Sequence, residues 1–118
     1  TSEKPILMIG GNNDGVITWS ARRYGKEAED CTISLKQTFE KGIGGNRNDR
    51  YLAIFDGANH FTFAHPKDST TGRPFLDFEP KNDEAHRKIM AEMIMDFIEG
   101  KDLERFASEE SITIFERK

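Results

Sequence analysis

The stretch that decides how this chain is read is 5-PILMIGGNNDGVITW-19, an apolar run that ends in two glycines and delivers Asp14 just beyond them. Ile6, Leu7, Met8 and Ile9 are continuously apolar, the pattern of a strand buried on both faces, as in a parallel sheet. Pro5 suits the first residue of such a strand, where the missing N–H is best tolerated. Two outcomes compete for the loop after this strand. Asn13-Asp14-Gly15 between apolar runs favours a tight hairpin, which would make Asp14 a turn residue. Alternatively, the strand ends in a loop that presents one carboxylate for chemistry. Val16 to Trp19 runs into 20-SARRYGKEAED-30, which lacks a strand pattern and weighs against the hairpin.

A second run of the same character, 51-YLAIF-55, stops at Asp56-Gly57. Between the two lies a polar stretch from Ser20 to Lys41, closed by Gly42, which is expected to be largely helical and to complete a βαβ crossover. Within it, 31-CTISLKQTF-39 is ambiguous. Cys31, Ile33 and Leu35 alternate as in a strand, whereas 36-KQTFEKG-42 is helical in character, and helix is the expectation. The clearest helix spans Asp83 to Glu99. Ala85, Ile89, Met93 and Phe97 repeat every fourth residue, with Met90, Ile94 and Ile98 widening the stripe. Asn82 or Asp83 can cap its start and Gly100 is placed to end it. The segment 64-AHPKDSTTGRPFLDFEPK-81 is a long loop, of a length that is usually functional or disordered, and 112-ITIF-115 is expected to add a short edge strand.

Composition narrows the classes of function. With 118 residues and 36% hydrophobic content, the chain supports one domain with a modest core. A net charge of −4 gives no support to nucleic-acid binding, and no apolar run approaches the ~18 residues of a membrane span. The N-terminal TSEKPILMIGG is too short in apolar residues for a signal peptide. Cys31 stands alone, so neither an intrachain disulfide nor a Cys-based zinc site is expected. No compartment is assigned from these features. The chain opens on Thr1 and enters a buried-looking strand almost at once, as expected of one partial domain, residues 1–118, whose upstream part lies elsewhere.

The two apolar strands are followed by two polar loops, Gly11-Asn12-Asn13-Asp14 and Gly57-Ala58-Asn59-His60. Functional groups of open α/β sheets gather at the carboxyl ends of strands, so an acid and a histidine are expected to emerge side by side. A carboxylate bonded to one ring nitrogen fixes the histidine tautomer and readies the other nitrogen to take a proton from a nucleophile.

In this respect PILMIGGNNDGVI, then YLAIFDGANHF, then a long C-terminal helix resembles the last third of an α/β-hydrolase, nearest in flavour to dienelactone-hydrolase-like and acetylhydrolase-like esterases. The resemblance covers roughly residues 4 to 100. It implies a fold in which parallel strands, a crossover helix and a packed C-terminal helix form the C-terminal portion of the domain. It also implies that Asp14, in a G-x-x-D loop, is the triad acid and that His60, in a G-x-x-H loop, is the triad base. The family's nucleophile sits in a G-x-S-x-G elbow, and this chain has none. Ser20, Ser34 and Ser69 lack the flanking glycines, and Cys31 fails as an elbow thiol. The implied protein is therefore a serine hydrolase for ester-type small molecules, of which this chain alone would be inactive. It would associate with itself or with a nucleophile-bearing N-terminal half of the same protein, and no cofactor is implied.

Plainer readings stand beside these. The chain could be a non-enzymatic α/β binding or assembly module in which Asp14 and His60 are loop residues. Asp56 is the fallback acid, though a strand-end turn residue is the simpler reading. His60, His65 and Asp68 do not match a metal-ligand spacing. His86 is expected on the solvent face of its helix. Phe61, Phe63, Phe75 and Phe78 either line an acyl pocket beside His60 or pin the long loop to the body. Gly44-Gly45 reads as a flexible connection.

Overall fold

The computed structural model describes residues 4–14, 32–63 and 81–118. Strand β1 (Ile6–Gly11) and strand β2 (Arg50–Phe55) run parallel, with Ile6 opposite Arg50 and Gly11 opposite Phe55. The described part of the connection between them includes helix α1 (Thr32–Gln37), which continues as a π-helical turn over Thr38–Gly42. Helix therefore prevails over the alternating pattern around Ile33 and Leu35. Helix α2 (Asp83–Ile98) follows, then a 3₁₀ turn (Glu104–Ser108). Strand β3 (Ile112–Arg117) closes the order, antiparallel to β2, so the sheet reads β1-β2-β3. The chain is thus α/β with a mixed three-stranded sheet, the edge strand falling where 112-ITIF-115 placed it.

β2 lies between the other two strands, and all six of its residues are buried. Its side chains alternate between two cores. Tyr51, Ala53 and Phe55 point to a cluster with Met93, Leu103, Phe106 and Ile112, joined by Leu7 and Ile9 of β1. Leu52 and Ile54 point to the opposite face, against Phe39, with Met8, Leu35, Ile43 and Ile114. Both faces of the sheet are therefore covered, which is why the run has no polar alternation. β1 departs from the expectation of full burial. Ile6 to Gly10 are only half-buried, because β2 is the one strand beside β1 among the described residues.

β3 contains a register shift opposite Ile54/Phe55. An extra residue in one strand reverses the facing of everything beyond it. Ile112 and Phe115, of opposite parity, consequently serve the same core, while Ile114 serves the other.

α2 starts at Asp83 as expected and ends at Ile98, one residue early, and most of the expected stripe faces the core. His86 and Met93 are buried, with Ile89, Met90 and Phe97 packed against the core, whereas Ala85 is exposed and Ile98 is 70% exposed. The solvent-facing assignment of His86 is thus corrected. Its ring stands edge-on to Phe55, with centroids 5.5 Å apart. Asn82 precedes the helix with φ +58 and makes no side-chain cap. The other end is a Schellman closure: Gly100 has φ +75, its N–H donates to Phe97 O (3.1 Å), and that of Lys101 donates to Asp96 O (2.9 Å). Gly45 is more than a connection. With φ +118 it lies against the buried side chain of Arg50, which pairs with Asp49.

Candidate active site

The two loops leave adjacent parallel strands at the same end of the sheet, and they are joined along their length. The N–H of Asn12 donates to Phe55 O (3.2 Å) and that of Asn13 to Ala58 O (2.9 Å). The Asn12 side chain works in both directions, its Oδ1 accepting from Gly57 N–H (2.7 Å) and its Nδ2 donating to Asp56 Oδ1 (2.8 Å). Gly11 fits because it has no side chain. A methyl group there would stand 2.6 Å from the Ala58 carbonyl carbon and 2.8 Å from its Cβ. At Gly57 the backbone takes φ +84, where glycine carries no steric penalty, and the Gly57 carbonyl accepts from Lys81 N–H (2.9 Å) just before α2.

This framework brings Asp14 and His60 together, with Asp14 Oδ2 lying 3.0 Å from His60 Nδ1. The Asp14 side chain is 10% exposed and that of His60 42% exposed, so an enclosed carboxylate backs a ring that reaches solvent. The loop beneath the ring is set by its neighbours. Asn59 Oδ1 accepts from Phe61 N–H (2.9 Å) and from Thr62 Oγ1 (3.1 Å), while Thr62 Oγ1 accepts from Asn59 N–H (2.8 Å). Both Asn59 and Thr62 are buried. The segment 59-NHFT-62 is thus a closed local network of the kind Asn and Thr form in turns.

Asp14 and His60 meet as their loop positions led us to expect. Asp56 is the strand-end turn residue, its N–H donating to Ser111 O (2.9 Å) and its carboxylate accepting from Asn12. Of the loop aromatics, Phe61 stands edge-on to the His60 ring at 5.2 Å, while Phe63 turns inward to Phe55 at 5.5 Å. Phe75, Phe78, His65, Asp68, Ser20, Ser69, Cys31 and Val16 to Trp19 lie outside the described residues. Among the described residues no three His, Cys, Asp or Glu side chains gather as a metal site, and no helix is long and apolar enough to cross a membrane. Asn12, Asn59 and Thr62 were missed by sequence reasoning. Their only signal is that each lies within three residues of Asp14 or His60 in a polar loop.

Compared with known proteins, the chain matches no family model, no curated protein and no solved structure.

Proposed function

We propose that this chain is the C-terminal part of an α/β-hydrolase acting on ester-type small molecules, with Asp14 as the triad acid and His60 as the triad base. The observation that carries this reading is the 3.0 Å contact between Asp14 Oδ2 and His60 Nδ1 at the ends of neighbouring parallel strands. A carboxylate at that position holds the neutral imidazole with its proton on Nδ1. Nε2 is then the nitrogen that takes the proton from a serine hydroxyl as the oxygen attacks the ester carbonyl, and that later returns it to the departing alkoxide. The serine and the amides that stabilise the oxyanion would come from outside these 118 residues, as the absence of a G-x-S-x-G elbow requires. β1, at the outer side of the described sheet, offers the edge on which a nucleophile-bearing half, or a second copy, would add a strand.

The test is intact-mass analysis of the purified protein before and after exposure to a serine-reactive fluorophosphonate. A labelled partner polypeptide, or a longer parent chain carrying the adduct, with labelling lost in His60→Ala, is the expected result. A single unlabelled species with the mass of this chain would show only that the chain is not by itself a serine hydrolase, whereas an unlabelled longer parent chain, or labelling that persists in His60→Ala, would overturn the hydrolase reading in favour of a non-enzymatic α/β module.

A further inference from the structure

We infer that Asn12 is a positioning residue, the clamp that sets the distance between Asp14 and His60. This rests on the reading of that pair as acid and base. Residues 55 to 58 are each bonded to Asn12 or Asn13: Phe55 and Ala58 through their carbonyls, Gly57 through its N–H and Asp56 through its carboxylate. The two backbone bonds leave a gap at the turn, where β2 has ended and Gly57 takes φ +84. The Asn12 side chain fills that gap. It acts two residues before Asp14 on one loop and, at Gly57, three residues before His60 on the other, so a shift at the clamp is passed to both members of the pair.

The chemistry of the clamp selects an amide. Gly57 N–H can only donate and an ionised Asp56 carboxylate can only accept, so the bridging group must accept on one side and donate on the other. A carboxylate at position 12 would still accept from Gly57 but would face Asp56 with a like charge. An apolar isostere would serve neither side. Exchanging the two side chains restores the pattern with its polarity reversed: the carboxylate at position 12 accepts from Gly57 N–H and from an amide at position 56.

This exchange makes the inference testable without any enzymatic assay. The readout is the tautomer of His60 in ¹⁵N-labelled protein, read from two-bond ¹⁵N–¹H spectra at a pH where the ring is neutral. The wild type is expected to hold the proton on Nδ1, and Asp14→Asn serves as the control that releases it. N12L and N12D are expected to move His60 toward the Nε2–H tautomer. D56N alone is expected to leave the spectrum unchanged, because the new amide can turn its oxygen to Asn12. N12D/D56N is expected to restore the wild-type pattern. A structural role alone would lower the melting temperature of N12D without moving the tautomer. If N12L fails to fold, the comparison of N12D with N12D/D56N carries the test. A wild-type tautomer in N12D, or a double variant as displaced as N12D, would overturn the inference. Loss of fluorophosphonate labelling elsewhere in the protein would leave it standing, since the tautomer reports the clamp and not the nucleophile.

Discussion

Gly11 lies against Ala58 so closely that the end of β1 and the loop carrying His60 share one van der Waals surface. The atoms met by a methyl group at position 11 are mainly the backbone carbonyl of Ala58, which cannot rotate away as a side-chain tip can. Gly11→Ala should therefore force the two loops apart. Overpacking of this kind costs about 1–3 kcal/mol, and we expect a lowered denaturant midpoint together with loss of the Asp14-held tautomer of His60. An unchanged midpoint would show that the loops can separate freely.

Replacing His86 should have the opposite sign. The side chain is buried to 1% exposure, and its Nδ1 has no hydrogen-bond partner among the described residues. An unsatisfied buried polar atom costs about 1–3 kcal/mol, whereas the edge-on contact with Phe55 is largely apolar. His86→Leu keeps the packing and removes the unsatisfied atom, so it should stabilise the fold by roughly 1 kcal/mol. Equilibrium urea unfolding checks this, and a marked loss of stability would reveal a polar role for the ring.

Gly45 should resist substitution for two independent reasons. Its φ of +118 is strained for any side chain, and an added Cβ would collide with the guanidinium end of Arg50. Arg50 has little room to yield, being 1% exposed, with Leu52 and Ile54 fully buried further along the same strand. Gly45→Ala is expected to cost about 2 kcal/mol or more. Thermal unfolding of this variant beside Gly44→Ala would separate the local effect from a general loss of loop freedom.

The acid limb of stability should carry a contribution from Asp102. Its carboxyl is held below the ordinary range, first by the Glu104 N–H it accepts and then by the Arg117 guanidinium. A depressed folded-state value means that the charged form favours the fold. The contribution is therefore present above the usual carboxylate range and is lost as the pH falls through the lowered value. The wild type should lose stability more steeply than Asp102→Asn below about pH 4. The group is exposed, so added salt should flatten the difference. Denaturant midpoints measured across this range with and without salt check both points.

The strands and α2 were legible because burial on a sheet or along a helix leaves a period in the sequence. The runs 6-ILMI-9 and 51-YLAIF-55 announced a parallel pair, and the order of their loops was enough to bring Asp14 to His60. What escaped was whatever does not depend on apolar period. The stripe of α2 was drawn through Ala85 because histidine is not counted as apolar, yet His86 lies three, four and seven residues before Ile89, Met90 and Met93, and its ring is what Phe55 meets. The irregularity in β3 is invisible in ITIF, since alternation alone would have sent Ile112 and Phe115 to opposite faces. Asn12, Asn59 and Thr62 act through a few hydrogen bonds to backbone and to neighbouring side chains within loops, which obey turn geometry and leave no pattern to count.

Because Asp14 and His60 sit on loops that leave neighbouring parallel strands at the same end, the approach of those loops starts from the ~4.8 Å strand spacing common to all sheets. It does not depend on how Phe39, Leu52 and Ile54 fill their side of the core. The chain can therefore drift in that part of its interior and still present the same two groups. Such a site is robust to the commonest kinds of mutation and vulnerable chiefly at the few loop atoms that translate strand spacing into side-chain contact.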